Sequence, residues 1–350
     1  TSGVATNPAD PATLKAFIAW TKAFYPADHY ALVLAGHGQG WKGIMIIGGQ
    51  DTLTMAELRD GMSELGQEFD VVFFYSCLMG QTEVGYQVAD RADFMVASEE
   101  VTYTMFPWEA FINSLKANPG MSGGVFADNA TTSFATAMTT TILNHTTASV
   151  DLARLKSTLK PAVSAFASAL LADVIDFKTP GNYTDNSQLV IDTAVRGQSE
   201  AFVDRNFLDL YHFALLAEGQ PLGAATAAGA VKDALTAGGG SSAIRVFRRG
   251  AGHRNAHGLS IYFPEHETWP DTGGNIISGQ FRAFDNPTFS PHLYKRDAAI
   301  LLPQLQGSVH PLMDDAGFLF PNDTTWDEFL HRYYKPVADA CIIKGVNNCV

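Results

Sequence analysis

A chain of 350 residues, 46% apolar and 17% charged, can bury one large core or two ordinary ones and is too apolar for disorder to be the default. A formal net charge of −13 argues against a phosphate-binding surface, because nucleic-acid binders need clustered Lys and Arg to displace condensed counterions. No apolar run approaches the ~18 residues needed to cross a bilayer, and no signal-peptide pattern opens the chain.

The opening stretch to Leu14 reads as a loop ending in an Asp-Pro helix start, and Pro11–Phe24 carries Leu14, Phe17, Ile18, Trp20 and Phe24 at helical spacing. "HYALVLAG" is a nearly continuous apolar run, as expected of a strand covered on both faces. Thr54 and Glu57 form a capping box for a helix presenting Leu58, Met62 and Leu65. "DVVFFYS" then predicts a second buried strand, Val84–Val88 a helix and "DFMVASE" a third strand. Strands alternating with helices at this spacing imply a parallel sheet covered on both faces, with functional loops at the carboxyl ends of its strands. Residues 106–240 predict a helical layer, with helices over Gly124–Ile142, Leu152–Val174, Phe202–Ala217 and Ala224–Ala237. Two more strands follow in "SAIRVFR" and "HGLSIYFP", and the weakly periodic remainder from residue 267 predicts an extension packed on the core.

Two strand ends carry chemistry. "LVLAGHG" delivers His37 and "VVFFYSCLMG" delivers Cys77, so if the strands are parallel neighbours an imidazole and a thiol meet at one sheet edge. That pair suits acyl transfer: the thiolate attacks a carbonyl while the imidazole raises the thiolate fraction or protonates the leaving amine. Gly38 leaves room for substrate backbone and frees an N–H for a developing oxyanion. The N–H of Cys77, expected near the positive start of the next helix, supplies a second donor. The plainer alternative makes Cys77 a small buried hydrophobe and His37 a loop residue.

The segments "ADHYALVLAGHGQGWKG", "LTMAELRDGM", "SCLMGQTEVGYQVADRADFMVASEE" and "GLSIYFP" resemble the clostripain family of cysteine endopeptidases, relatives of caspases, gingipains and legumain. The resemblance implies a caspase-like three-layer α/β fold with a mostly parallel central sheet flanked by helices. It places a peptidase domain at 1–266 and a C-terminal extension at 267–350. It makes His37 and Cys77 a catalytic dyad and Gly38 the oxyanion-hole glycine. It also implies a protein or peptide substrate and a secreted or cell-envelope location. Where Arg- or Lys-specific members have an acid two positions before the nucleophile, this chain has Tyr75, followed by Ser76; a second acidic position falls near Met105. A guanidinium without a carboxylate would be a costly buried charge, so an apolar, non-basic P1 preference is expected, with Tyr75, Ser76, Met105, Phe106 and Trp108 lining the pocket. Glu99 or Glu100 could instead supply the acid. The alternative function is a catalytically decayed binding module of the same fold.

Family members begin with a strand that the present sequence lacks, so either the chain is a fragment or maturation leaves a cleaved N-terminal piece bound in the sheet. Lys42 and Arg59 lie between the dyad residues, where relatives can be nicked, although a peptidase avoiding basic P1 would not cut there itself. Of three cysteines, Cys341 and Cys349 could close a disulfide in an oxidising compartment. His253 and His257 stand four apart, but the predicted strand beside them supplies no third ligand, so no metal is expected. No cofactor is required; some relatives use calcium, yet no Asp-rich loop of the right rhythm is present. Asn129, Asn144, Asn182 and Asn322 fit the glycosylation sequon.

Overall fold

The computed structural model describes residues 7–47, 51–63, 69–102, 107–139, 143–174, 187, 190–236, 240–263, 269–270, 276–277, 318–330 and 333. Met105, Phe106, Asn182, Cys341 and Cys349 lie outside them.

Helix α1 (Pro11–Phe24) starts where Asp10 accepts the Ala12 N–H and proline fills the first turn, which needs no donor there. Strand β1 (Ala31–Ala35) leads to a short hairpin of β2 (Ile44–Ile47) and β3 (Asp51–Leu53) that the sequence reading passed over. Helix α2 (Met55–Gly61) has the expected capping box, Thr54 accepting from Glu57 N–H and Glu57 from Thr54 N–H. Strand β4 (Phe69–Tyr75), helix α3 (Thr82–Val88) and strand β5 (Ala92–Ala97) follow.

Helices α4 (Trp108–Ala117) and α5 (Gly123–Thr139) precede strand β6 (Thr146–Asp151), which interrupts the stretch expected to be wholly helical. The strand went unseen because Thr146-Thr147-Ala148-Ser149 is polar rather than alternating. It nonetheless suits a strand, since Thr and Val are β-branched and both edges pair. Next come α6 (Leu152–Arg154), a π-turn (Leu155–Leu159) and α7 (Lys160–Asp173). In the π-turn the Lys160 N–H reaches back five residues to Leu155, a widening that makes room for Pro161. Strand β7 (Phe207–Asp209) takes up the first part of another predicted helix, so α8 starts only at Leu210, capped by Asp209, and ends at Glu218. The described fold closes with α9 (Ala225–Thr236), β8 (Ile244–Arg249), β9 (Ser260–Tyr262) and α10 (Leu319–Asp323).

The five-stranded sheet has the order β1-β4-β5-β6-β8. β1, β4 and β5 are parallel; β6 is antiparallel to both β5 and β8, so four of the five strands share one direction. Helices cover both faces. Val72 and Phe74 of β4 join the larger core with α1, α2, α3, α7, α8 and α9, while Val71 and Phe73 face α4 and α5 through Phe111, Ala127 and Phe134. Burial on both sides explains the unbroken apolar run, each buried Phe contributing ~1.5–3 kcal/mol. Phe320, Trp326, Phe329, Leu330 and Tyr333 are also buried in the larger core, and Trp326 Nε1 donates to the Tyr262 carbonyl at 2.9 Å.

Candidate active site

The register decides what meets at the sheet edge. Ala35 pairs with Tyr75 in the parallel β1–β4 ladder, so the loops carrying His37 and Cys77 leave adjacent strands at the same edge. β5 ends beside them and releases Ser98, Glu99 and Glu100; β8 also ends there and releases the loop with His253 and His257. Antiparallel β6 begins at that edge, preceded by His145.

Gly38 lies against the loop that carries Cys77. A Cβ there would fall 2.6 Å from the Cys77 carbonyl oxygen, 2.9 Å from Met79 Sδ and 3.0 Å from Ser76 Cβ, so the approach requires glycine. The Met45 N–H donates to the His37 carbonyl at 2.9 Å, and the Gln39 N–H to the Gly43 carbonyl at 3.0 Å. Gly40, with φ of +61°, faces the Gln81 side-chain amide, whose oxygen accepts the Trp41 N–H at 2.7 Å. The glycine-rich loop is thus fixed by the hairpin on one side and by the residues following Cys77 on the other. His37 is exposed and Cys77 half-buried.

Cys77 Sγ accepts the Thr102 N–H at 3.4 Å and lies 3.7 Å from Thr102 Oγ1. Leu78 holds φ of +63°, a left-handed conformation costly for a branched side chain, and its N–H donates to the Glu100 carbonyl at 3.3 Å. Its own side chain is buried in the larger core. Helix α3 starts only at Thr82, so the expected dipole field, confined to a helix's first turn, does not reach the Cys77 N–H.

The pocket candidates separate. Tyr75 is half-buried with its ring edge-on to Phe134 at 5.7 Å, Trp108 is exposed and edge-on to Phe111, and Ser76 is fully buried, its hydroxyl donating to the Leu34 carbonyl at 3.4 Å. Glu99 and Glu100 are both buried. Glu100 accepts the Val101 and Val203 N–H groups at 2.7 and 3.0 Å and pairs with His253 Nε2 at 3.0 Å. The other ring nitrogen of His253 meets Glu200 at 3.0 Å. Burial opposes the imidazolium, but the two carboxylates outweigh it and raise His253 from 6.5 to about 9. Glu99 accepts the Gly258 N–H at 2.9 Å; burial first, and then the charge of Asp209, push its carboxyl well above the ordinary carboxylate range.

Sequence reasoning missed Thr102, His253 and Glu200 as parts of one constellation. The available signal was a pair of adjacent glutamates directly after an apolar strand, since carboxylates buried there must find partners. Among the described residues no group of three or more His, Cys, Asp or Glu side chains could hold a metal ion, so no step is routed through calcium. Lys42 is buried, ion-paired to Asp204 at 2.8 Å, and Arg59 lies within α2, so neither offers an extended segment for nicking.

A three-layer sheet with a histidine and a cysteine on adjoining carboxyl-end loops defines the caspase-like class of fold. Over residues 1–333 the chain matches the model of the clostripain family, Peptidase C11, and it belongs to that family. It is 34% identical to clostripain of Hathewaya histolytica over 142 residues, a match spanning 34% of this chain and 27% of that protein. Its fold resembles an inactive zymogen C11 protease from Parabacteroides distasonis (TM-score 0.54, 18% identity, covering 76% of this chain and 72% of that one). It also resembles a secreted C11 cysteine protease from Bacteroides thetaiotaomicron (TM-score 0.54, 14% identity, covering 73% and 72%). Among the described residues no helix is long and apolar enough to cross a membrane.

Proposed function

We propose that the chain is a secreted cysteine endopeptidase that hydrolyses peptide bonds through Cys77 and His37. The observation that carries this reading is the β1–β4 register, which puts both residues on adjacent loops at one edge, with Gly38 seated against Cys77. In the proposed reaction the Cys77 thiolate attacks the scissile carbonyl carbon, and the N–H groups of Gly38 and Cys77 receive the resulting oxyanion. His37 gives a proton to the departing amine, leaving a thioester. Water then adds to that thioester, His37 takes its proton, and the C–S bond breaks to return the thiolate.

The pocket is proposed to take an apolar, non-basic P1 side chain. Tyr75 holds the position two before the nucleophile, where a basic-specific relative would have an acid. Glu99 and Glu100 are committed to backbone donors, and Glu100 also to His253, which supports leaving them out of recognition. The structural relatives described as a zymogen and as secreted support a processed, exported precursor.

Peptidyl acyloxymethyl ketones that vary only in P1 test the reading. Apolar probes are expected to label Cys77, and arginine probes at least ~30-fold more slowly, since an unpaired buried cation costs several kcal/mol. Failure of every P1 type to label the folded protein would overturn the enzyme reading. Full peptidase activity in Cys77→Ala would overturn the assignment of the nucleophile.

A further inference from the structure

Resting on Cys77 as nucleophile, we propose that the segment Glu100–Thr102 is a cradle for the Cys77 thiolate, with Thr102 touching the sulfur and His253 acting as the positioning residue that holds the cradle closed. Two contacts join the segment to the nucleophile loop: Thr102 N–H to Cys77 Sγ at 3.4 Å, and the Glu100 carbonyl to Leu78 N–H at 3.3 Å. A donor aimed at the sulfur favours its charged form, and here it is backbone, whose position depends on what fixes the chain on either side.

That fixing is electrostatic and buried. The Glu100 carboxylate, 6% exposed, holds Val101 N–H directly before Thr102 and pairs with His253. His253, 7% exposed, spans the gap between Glu100 and Glu200, which come from separate loops. Every group facing this imidazole favours one state of the network. Glu100 follows β5, Glu200 precedes β7 and accepts Asn255 N–H, and the Phe202 ring lies 5.2 Å from the imidazole. His145, ahead of β6, is held neutral by burial and by the His253 charge. His212 on α8 is likewise kept neutral by burial and uses Nδ1 to accept the Glu200 N–H at 2.8 Å. Among these described groups the cation is therefore His253, bracketed by two carboxylates. Without it, the buried Glu100 carboxylate and the part-buried Glu200 carboxylate would face each other with no cation between them.

The test is the pH dependence of Cys77 alkylation by iodoacetamide, followed on the Cys77 peptide by mass spectrometry, with no substrate present. In His253→Gln the thiolate midpoint is expected to rise by about one unit, giving a roughly tenfold slower alkylation at pH 7, with kcat lowered more than KM. Glu200→Gln removes only the outermost carboxylate and decides the matter if His253→Gln does not fold; it should move the midpoint the same way by less. Trp326→Phe, a core substitution that removes the hydrogen bond to the Tyr262 carbonyl, should lower Tm and leave the midpoint unchanged. An unmoved midpoint in the folded variants, or an equal shift in Trp326→Phe, would overturn the proposal. Because alkylation needs no turnover, that result is distinct from failure of the peptidase reading, which Cys77→Ala decides.

Discussion

Glu99 and Glu100 are consecutive, both buried, and supported by the same Thr146 hydroxyl, which accepts both of their N–H groups at 2.9 and 3.2 Å. Their carboxyls nevertheless meet opposite company. Glu100 points to an imidazolium and two backbone donors, whereas Glu99 meets one backbone donor and the buried acid Asp209, itself accepting His212 and His257 N–H groups. A buried acid is thus not one kind of object: beside a cation Glu100 ties loops together, whereas burial and then a neighbouring acid make Glu99 hold its proton. One side of this edge is an ionic clamp, and the other is a joint in which Glu99 holds its proton against Asp209.

The largest expected effect falls on the clamp. His253→Leu leaves buried Glu100 and part-buried Glu200 without their cation and should cost about 3–5 kcal/mol in urea denaturation at pH 7; a loss below about 1 kcal/mol would erase the distinction. Thr146→Val tests the support shared by both acids. It strips the acceptor from the buried Glu99 N–H, while the Glu100 N–H keeps Ser98 Oγ at 3.1 Å, and should cost about 1–3 kcal/mol. The smallest effect belongs to the joint, where Glu99→Gln resembles the protonated acid and should cost under about 1 kcal/mol.

Titration sharpens the same contrast. His253 holds its proton more tightly in the folded state. Its contribution is therefore complete below its ordinary 6.5 and is lost as pH rises through about 9. Glu99 also gains proton affinity on folding, so its contribution is complete below 4.5 and fades as pH climbs toward its raised value. Tm measured from pH 4 to 10 should fall on the alkaline side in the wild type. His253→Leu should lose the decline between about 6.5 and 9, whereas Glu99→Gln should keep it and lose the part that begins lower.

The parallel core was legible because β4 is apolar on both faces, and the loops of the proposed dyad because glycine and a reactive side chain follow such runs at His37 and Cys77. β6 was hidden by its own chemistry: Thr146, Thr147 and Ser149 are there to bond loops and neighbouring strands, so the strand lacks the alternation that marks a half-buried one. Ser149, for instance, donates to Asp128 and accepts from Val246 N–H. The clamp was hidden by distance along the chain. Glu100 and His253 are brought together by the order β5-β6-β8 and Glu200 by the separate β7–β9 pair, and His253 read alone drew attention to a metal instead.

The backbone of Leu78 has a last consequence, for how such turns are recognised. A residue beyond a nucleophile with φ of +63° invites a search for glycine, which would occupy that region without penalty. Here the bend is enforced from below: a leucine sunk in the core and an N–H tied to Glu100 outweigh a conformational cost of about 1–2 kcal/mol. Replacing Leu78 with glycine would relieve the backbone and remove the anchor together. The signature of this elbow is therefore an apolar residue, and a glycine-based pattern would pass over it.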